Sequence, residues 1–288
     1  MSGSRIKTII IAALVLINAL FLTVIIIDSY NDLQSERLAI VNLCAVMENG
    51  GIRISPEDIR TGGELRSMRT ARGDDIETVI THAVLGPAEK TDQGGGIYRY
   101  ESEGRGFVEF SSGGDFEFRL ETGVVPETGG AQRVVSRILR DMKLETSELT
   151  ISEGQTGEGL TGVEPDSLKV TAVCSYKGVS IFNCTIDFIF SNNSLQTIKG
   201  RYIAGVEPEE NSVKISGVST VLLGFLAVVQ DETREDVFCS EIFSVEAGYR
   251  HRIVSAFGEG LIDPVWLIIT DSGHYLVDDV TGDIRLVM

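Results

Sequence analysis

A run of 19 uncharged, mostly apolar residues, Ile9 to Ile27, is compatible with few structures. At about 1.5 Å per residue, a helix of that length nearly spans the roughly 30 Å hydrocarbon core of a bilayer. Arg5 and Lys7 precede the run and acids follow it, and basic residues collect on the cytoplasmic side of a membrane helix. The sequence therefore predicts a cytoplasmic tail at 1–8, one transmembrane helix at 9–27 and an extracytoplasmic body.

A cleaved signal peptide is the main alternative to this anchor. The apolar part of a signal peptide usually has only about 7 to 15 residues and ends in a small-residue cleavage site. No such A-x-A pattern follows Ile27. The length of the run thus favours a retained, single-pass anchor in the cell membrane.

Asn18 lies in the middle of the predicted span, where an amide exposed to lipid would lose its hydrogen bonds. Such a side chain either pairs with another helix in the bilayer or is simply tolerated there, and the sequence leaves both options open. In the first case the helix has one candidate partner-binding face, formed by Leu14, Asn18, Phe21, Leu22 and Ile25.

The charge of the chain restricts its partners. Acidic residues outnumber basic ones by 42 to 25, which gives a net charge of −17, and almost all of them follow the apolar run. A body this acidic has the wrong sign to coat nucleic acid or an anionic lipid surface. We expect a neutral, cationic or protein partner and no nucleic acid.

The four cysteines suggest neither a metal site nor a cofactor. They form no C-x-x-C pair and have no His at zinc spacing. Disulfides are possible in an exported body. However, a hairpin closed at Lys177-Gly178 would put Cys174 opposite Ile181 rather than Cys184, so buried free thiols are expected.

Apolar spacing and turn residues divide the body into elements. A helical stalk is predicted at 28–50, a short helix from Ser55 to about Met68, and an amphipathic helix from Asp74 to Gly86. Three strands with glycine turns follow, Gly96 to Glu101, Phe107 to Ser111 and Phe116 to Glu121.

The same order of elements recurs. Helices are predicted at 130–144 and 212–230. Strands follow at 168–176, 179–190 and 195–203 after the first, and at 237–249, 265–270, 275–277 and 284–287 after the second. The predicted fold class is therefore α+β, an N-terminal transmembrane helix followed by repeated helix-plus-antiparallel-sheet units. We place one extracytoplasmic domain at 51–126 and another, with two repeats, at 127–288.

Several segments of this sequence resemble the YycI family of membrane-anchored regulators of two-component systems. The segment Arg5 to Ile11 resembles the family's N-terminus, and similar segments recur in the C-terminal half. They are the hairpin Tyr176 to Phe182, the helix at 212–230, Ala247-Gly248-Tyr249, Asp263-Pro264-Val265-Trp266 and Asp271 to Asp283. YycI-like chains share this last pattern with PepSY-type modules, and its Gly, Pro and Trp residues are also explained by turns and core packing.

The resemblance implies a function without catalysis. YycI proteins act with a YycH paralogue on an essential sensor histidine kinase that governs cell-wall metabolism, partly through contacts between membrane helices. The resemblance thus implies a non-catalytic accessory regulator that has the kinase and a YycH-like paralogue as membrane partners and is compatible with a hetero-oligomer. It assigns no catalytic, cofactor-binding or metal residue.

Two other classes of function are alternatives, and the second fits the same sequence features as the regulator. An exported hydrolase would need a His beside a nucleophile or acid, but no Gly-x-Ser-x-Gly occurs and His82, His251 and His274 are expected at the surface. Adjacent acids such as Asp74-Asp75, Glu209-Glu210 and Asp278-Asp279 are expected to be solvated. An anchored module that binds a peptide or cell-wall fragment, on an open sheet face or a strand edge, remains the closer alternative.

Overall fold

A computed structural model gives the structure of the protein. The residues it describes are 37–60, 63–121, 130–153, 167–192, 194–209, 214–231, 233, 237–255, 258–278 and 282–287. The predicted tail at 1–8 and the predicted transmembrane helix at 9–27 lie outside these residues, as does the first part of the stalk. Across the described ranges, no helix is both long and apolar enough to cross a membrane.

The described helices are short. Helix α1 covers residues 37–49, and the others are α2 Asp74–Leu85, α3 Ala131–Asp141 and α4 Val218–Val229, with a 3-10 turn at Pro56–Asp58. The strands in the first half are β1 Ile59–Arg60, β2 Met68–Thr70, β3 Glu89–Gly94, β4 Ile97–Ser102, β5 Gly106–Phe110, β6 Asp115–Leu120 and β7 Thr146–Glu153. Those in the second half are β8 Ser167–Tyr176, β9 Val179–Ser191, β10 Ser194–Arg201, β11 Glu207–Pro208, β12 Ile242–Ile253, β13 Gly260–Thr270, β14 His274–Asp278 and β15 Ile284–Leu286.

The predicted α+β class with repeated helix-plus-sheet units is wrong. Of the described residues, 48% lie in strands and 24% in helices, and the strands join one mixed sheet of 15 strands. The order along its main path is β11-β2-β13-β12-β9-β10-β6-β5-β4-β3. The units merge because β10 pairs antiparallel with β6 as well as with β9, so that a strand of one predicted unit completes the meander of another.

Several local predictions are confirmed and others are wrong. Helices α2 and α3, and the meander β4 to β6, lie where the apolar spacing placed them. The helix predicted from Ser55 to Met68 is instead a single 3-10 turn, because the chain becomes extended again at Ile59 (φ −97°, ψ 108°). Strands β2, β3, β7 and β11 were not predicted.

Helices α2 and α3 pack against each other and on the sheet, α2 on β4 and β5 of the meander and α3 on β7 and β8. The residues that β5, β6 and β9 turn toward them alternate with half-exposed polar residues, as expected for a sheet with one covered face. The fully buried side chains on this side include Val108, Phe110, Phe118, Phe188, Ile186, Ile80 and Leu85. The opposite, polar face of β4, β5, β6, β10 and β9 has no helix named against it among the described contacts.

The described residues cluster into two compact units. One contains α1 and α4, and the other, which begins at Arg60, contains nearly all of the strands and α2 and α3. In the first unit, α1 buries Leu43, Cys44 and Met47. Gly50 lies so close to α4 that an added Cβ would stand 2.6 Å from Leu226 Cδ1, which explains the glycine at this helix end.

Candidate functional site

The candidate site is a cleft of about 500 Å³ on the open, polar face of the sheet, within the second unit. Strands β4, β5, β6, β10 and β9 form its floor. The residues that line it are Ile97, Glu109, Phe110, Ser111, Asp115, Phe116, Glu117, Asn183, Thr185, Asp187, Lys199, Gly200 and Arg201. The cleft therefore combines acids, two cations, an amide and hydroxyl groups.

The strand register aligns charged side chains in a row across this floor. Glu109 faces Glu117 between β5 and β6, and Lys199 of β10 faces both Glu117 and Asp187 of β9. Side chains directly opposite each other on neighbouring strands lie about 4.5–5.5 Å apart at their Cβ atoms. Lys199 thus stands between two carboxylates, while Glu109 and Glu117 form a like-charged pair.

Ion pairs at both ends hold this row in place. Arg99 Nη1 donates to Glu109 Oε1 at 3.2 Å, and Lys169 Nζ lies 3.0 Å from Asp187 Oδ2. Thr171 Oγ1 also donates to Asp187, at 2.8 Å. Exposed pairs of this kind contribute little stability but fix the orientation of the side chains.

Arg201 and Asp115 form a two-pronged ion pair beside this row. Arg201 Nε donates to Asp115 Oδ1 at 2.7 Å and Nη2 donates to Oδ2 at 2.9 Å. The hydrogen bond to Asp115 is the main reason that the pKa of Arg201 is raised, and burial opposes it. The planar guanidinium is thereby held rigidly at the edge of the cleft.

Asn183 lies at the end of the cleft where β9 meets β12. Its Nδ2 donates to the His251 carbonyl, and the His251 main-chain N–H donates to Asn183 Oδ1, both at 2.7 Å. The side-chain amide of Asn183 thus takes the place of a main-chain hydrogen-bond partner for His251. It does so near the point where β12 pairs parallel with β9, with Tyr249 opposite Ile181. This side chain positions the two strands and also presents a polar edge to the cleft.

The prediction that all three histidines lie at the surface is wrong for His251. Its side chain is buried, and its Nε2 lies 3.3 Å from Thr70 Oγ1. Burial, followed by the positive charge of Arg201, lowers the pKa of His251 to about 4. His82 on α2 and His274 on β14 are exposed, and no His lines the cleft.

A second polar cluster is buried at the edge of the meander. Arg72 Nε donates to Glu77 Oε1 at 2.6 Å, Tyr202 Oη donates to the same oxygen at 2.8 Å, and Arg72 Nη1 donates to the Gly96 carbonyl. Burial is the main cause of the raised pKa of Tyr202, and the charge of Glu77 adds to it. This cluster ties α2 to strands β4 and β10 rather than facing a cavity.

The adjacent acids have different environments. Asp74 is exposed in the first turn of α2, 3.7 Å from Lys90 Nζ, as predicted for a solvated acid. Asp278 is instead buried and accepts a hydrogen bond from Arg250 Nη2 at 2.6 Å, so the solvated prediction is wrong there. Within the described residues, no group of three or more His, Cys, Asp or Glu side chains could hold a metal ion.

The predicted partner-binding residues of the membrane helix, Leu14, Asn18, Phe21, Leu22 and Ile25, lie outside the described residues, so this set stays a prediction. The cleft was not predicted. One signal for it was present in the sequence, since Glu117 and Arg119 alternate with Phe116 and Phe118 along β6. That alternation predicts a polar face but does not show which strands lie beside it.

The fold is a large mixed sheet, and one of its faces carries the cleft. No protein-family model matches the chain, and no curated protein is significantly similar to it. Among solved structures, an uncharacterized protein from Eubacterium rectale is similar with a TM-score of 0.49 and 8% identity, over 80% of this chain and 88% of that one. YycH from Bacillus subtilis is similar with a TM-score of 0.36 and 12% identity, over 80% of this chain and 51% of that one.

These similarities are weak. Membership of the YycI family stays a prediction. At such identities and TM-scores, the two solved structures say nothing about what this chain binds.

Proposed function

We propose that this chain is a membrane-anchored, non-catalytic accessory regulator of a sensor histidine kinase, and that its cleft binds an extended polypeptide segment of a partner. The anchor would be the apolar run at 9–27, with the body outside the cell. The sequence resemblance to YycI-type regulators suggests the kinase pathway. The observation that carries the proposal is the open, charged sheet face with its cleft.

The dimensions of the cleft suit an extended peptide. Its floor crosses five strands, which at about 4.8 Å per strand spacing gives a width of about 20 Å. An extended chain of about six residues has that length, at about 3.3 Å per residue. Such a segment could lie across the row from Glu109 to Asp187.

The charges of the cleft indicate the kind of segment. Four acids line the cleft, and each already has a basic partner: Arg99 pairs with Glu109, Arg201 with Asp115, Arg119 with Glu117 and Lys169 with Asp187. Glu109 and Glu117 nevertheless face each other directly, and a basic side chain placed between them would further reduce their repulsion. In the proposed complex, a Lys or Arg of the partner segment lies between these two acids.

The position of the histidines supports the non-catalytic part of the proposal. His251 is buried and kept neutral, and its Nε2 faces Thr70 rather than the cleft. Neither His82 nor His274 stands beside the lining residues. A hydrolytic site with a His base would need one of them there.

A charge reversal in the cleft tests the partner surface. The full-length chain with Glu117→Lys is compared with Glu148→Lys, an exposed position on β7 outside the cleft with the same change in charge. Each tagged protein is purified from membranes, and co-purified histidine kinase is measured by mass spectrometry. We expect recovery of the kinase to fall about tenfold or more for Glu117→Lys only.

Two results would overturn the proposal. If wild-type protein recovers no histidine kinase, the regulator function is wrong. If both variants recover the kinase equally well, the cleft is not the partner surface. The contacts of the membrane helix would then be the remaining candidate.

The membrane face is tested by Asn18→Leu, with Ala19→Leu as a neighbouring control off that face. Pairing through the Asn18 amide predicts that only the first variant changes the phosphorylation output of the kinase pathway, at equal protein levels. Unchanged output from Asn18→Leu would count against the helix contact.

The amide, hydroxyl and carboxylate groups of the cleft also suit a second candidate, a cell-wall fragment or free peptide. Titration calorimetry of the full chain with purified cell-wall fragments distinguishes the two candidates. Saturable binding that is lost in Glu117→Lys, together with no kinase recovery, would favour the fragment-binding module.

A further inference from the structure

Two cysteines lie on neighbouring strands, Cys174 on β8 and Cys184 on β9. Strands β8 and β9 pair antiparallel with Ala172 opposite Ile186 and Val173 opposite Thr185, and the register then shifts before Ser175 pairs with Ser180. Both cysteines lie at this irregularity, each directly next to the last pair of the regular part of the ladder. The predicted position of Cys174 opposite Ile181 falls at the same irregularity and stays a prediction.

The two thiols converge on one point. Cys174 Sγ lies 3.5 Å from the Arg201 carbonyl oxygen, and Cys184 Sγ lies 3.3 Å from the same atom. Both side chains are buried, on the covered face of the sheet where Ala172 and Ile186 also point.

This geometry fits a covalent bond. Neighbouring strands lie about 4.8 Å apart, which is within the 4.4–6.8 Å that separate the Cα atoms of a disulfide, and the two sulfurs contact the same carbonyl oxygen. Cys44 is also buried but belongs to the other compact unit, as does Cys239. Among the four thiols, only Cys174 and Cys184 lie on neighbouring strands.

We propose that Cys174 and Cys184 are an oxidation site that forms a disulfide bond between β8 and β9. A small-molecule disulfide such as oxidised glutathione is the oxidant. One cysteine thiolate attacks a sulfur of this oxidant and releases one reduced glutathione, and the second cysteine then displaces the other. One Sγ–Sγ bond forms, one glutathione disulfide bond breaks, and the two released thiols carry the two protons.

The environment of the two thiols determines at which stage of folding the disulfide bond forms. The hydrogen bond to Cys174 and burial raise the pKa of the Cys184 thiol, so the reactive thiolate is scarce in the folded protein. Oxidation is therefore slow once the sheet is complete and fast while the chain folds, when both thiols are accessible. An oxidising, extracytoplasmic compartment would supply these conditions.

The test is to refold the full-length protein in detergent with a mixture of oxidised and reduced glutathione. The free thiols are then alkylated in denaturant and the chain is cut with trypsin, which cleaves at Lys177 between the two cysteines. We expect a linked pair of peptides, 170–177 and 178–199, while the peptides with Cys44 and Cys239 are recovered alkylated. The oxidised protein should also melt at a higher temperature than the same protein after reduction.

Matched variants make the result specific to this pair. Cys174→Ser and Cys184→Ser should each abolish the link and leave the remaining thiol alkylated, whereas Cys44→Ser should keep it. Oxidation of the fully unfolded chain in denaturant, which should give mixed pairs, shows whether the native sheet selects the partners. Two results would overturn the proposal, whatever the outcome of the kinase experiments. In the first, peptides 170–177 and 178–199 are recovered separately and alkylated at every glutathione ratio. In the second, either peptide is linked to the peptide that contains Cys44 or Cys239.

Discussion

Acidification should destabilise this protein through His251. The side chain is only 6% exposed, and its pKa is lowered to about 4 from an ordinary value of 6.5, mainly by burial. Between these two pH values the unfolded chain carries a proton on this ring that the folded chain does not. The free energy of unfolding therefore falls as the pH drops from about 6.5 to about 4, and His251 makes no difference above that range.

The size of the effect follows from the two pKa values. Between about pH 8 and pH 5 they correspond to a loss of about 2 kcal/mol, since one pKa unit equals about 1.4 kcal/mol. With an unfolding slope of about 2 kcal/mol per molar urea, the urea midpoint should fall by about 1 M. The exposed carboxylates with lowered pKa, Glu64 and Asp271, contribute only at lower pH, below their unfolded pKa values of 4.5 and 3.8.

Urea titrations of the full-length protein in detergent, followed by the fluorescence of its single tryptophan, Trp266, measure this loss. His251→Gln should remove most of the pH dependence between about pH 8 and pH 5. His274→Gln, at an exposed position on β14, should keep it. An NMR titration of the His251 ring should give a pKa near 4.

A lowered pKa of His251 is refuted if the wild-type urea midpoint is the same at both pH values, or if His251→Gln keeps the wild-type pH dependence. A pKa near 6.5 for the His251 ring in the folded protein would also refute it, since such a value would show that the side chain is solvated.

Three substitutions test the packing around the cleft by their effect on the free energy of unfolding, measured in urea. Asn183→Ala removes the amide that bonds both main-chain groups of His251 and should cost about 1–2 kcal/mol; no loss would mean that water replaces the amide. Gly106→Ala places a Cβ 2.1 Å from a main-chain oxygen of β6 at a residue with φ +115°, and should cost more than about 2 kcal/mol, so a stable variant would contradict this close approach. Phe118→Ala should cost about 3–5 kcal/mol at a side chain that is 0% exposed, whereas the half-exposed Phe243 should tolerate the same change, and equal losses would refute the assigned core.

Local sequence signals predicted the elements that depend on local interactions. Apolar residues at helical spacing located α2 and α3, and Lys177-Gly178 located the turn between β8 and β9, where both residues have positive φ. Alternation located β6, because one covered face requires a period of two. In each case the signal lies within about a dozen consecutive residues.

Predictions that needed the strand partners were wrong. The recurring helix-and-strand pattern suggested separate units, but pairing of β10 with β6 makes one sheet. The turn at Lys177-Gly178 suggested one regular register along the hairpin, but the register of β8 and β9 shifts between Val173 and Ser175. A register shift changes every pair beyond it, and the residues of the hairpin turn do not predict where such a shift occurs.

The sequence alone determined the apolar run at 9–27, the acidity of the body, the turns and the alternating faces of the strands. Only the tertiary structure decided that the polar faces of β5, β6, β10 and β9 combine into a cleft, and that His251 is buried. The physical reason is that a strand satisfies its main-chain hydrogen bonds with whichever neighbour the whole fold supplies. The residues that meet across a sheet are therefore set by contacts between distant parts of the chain.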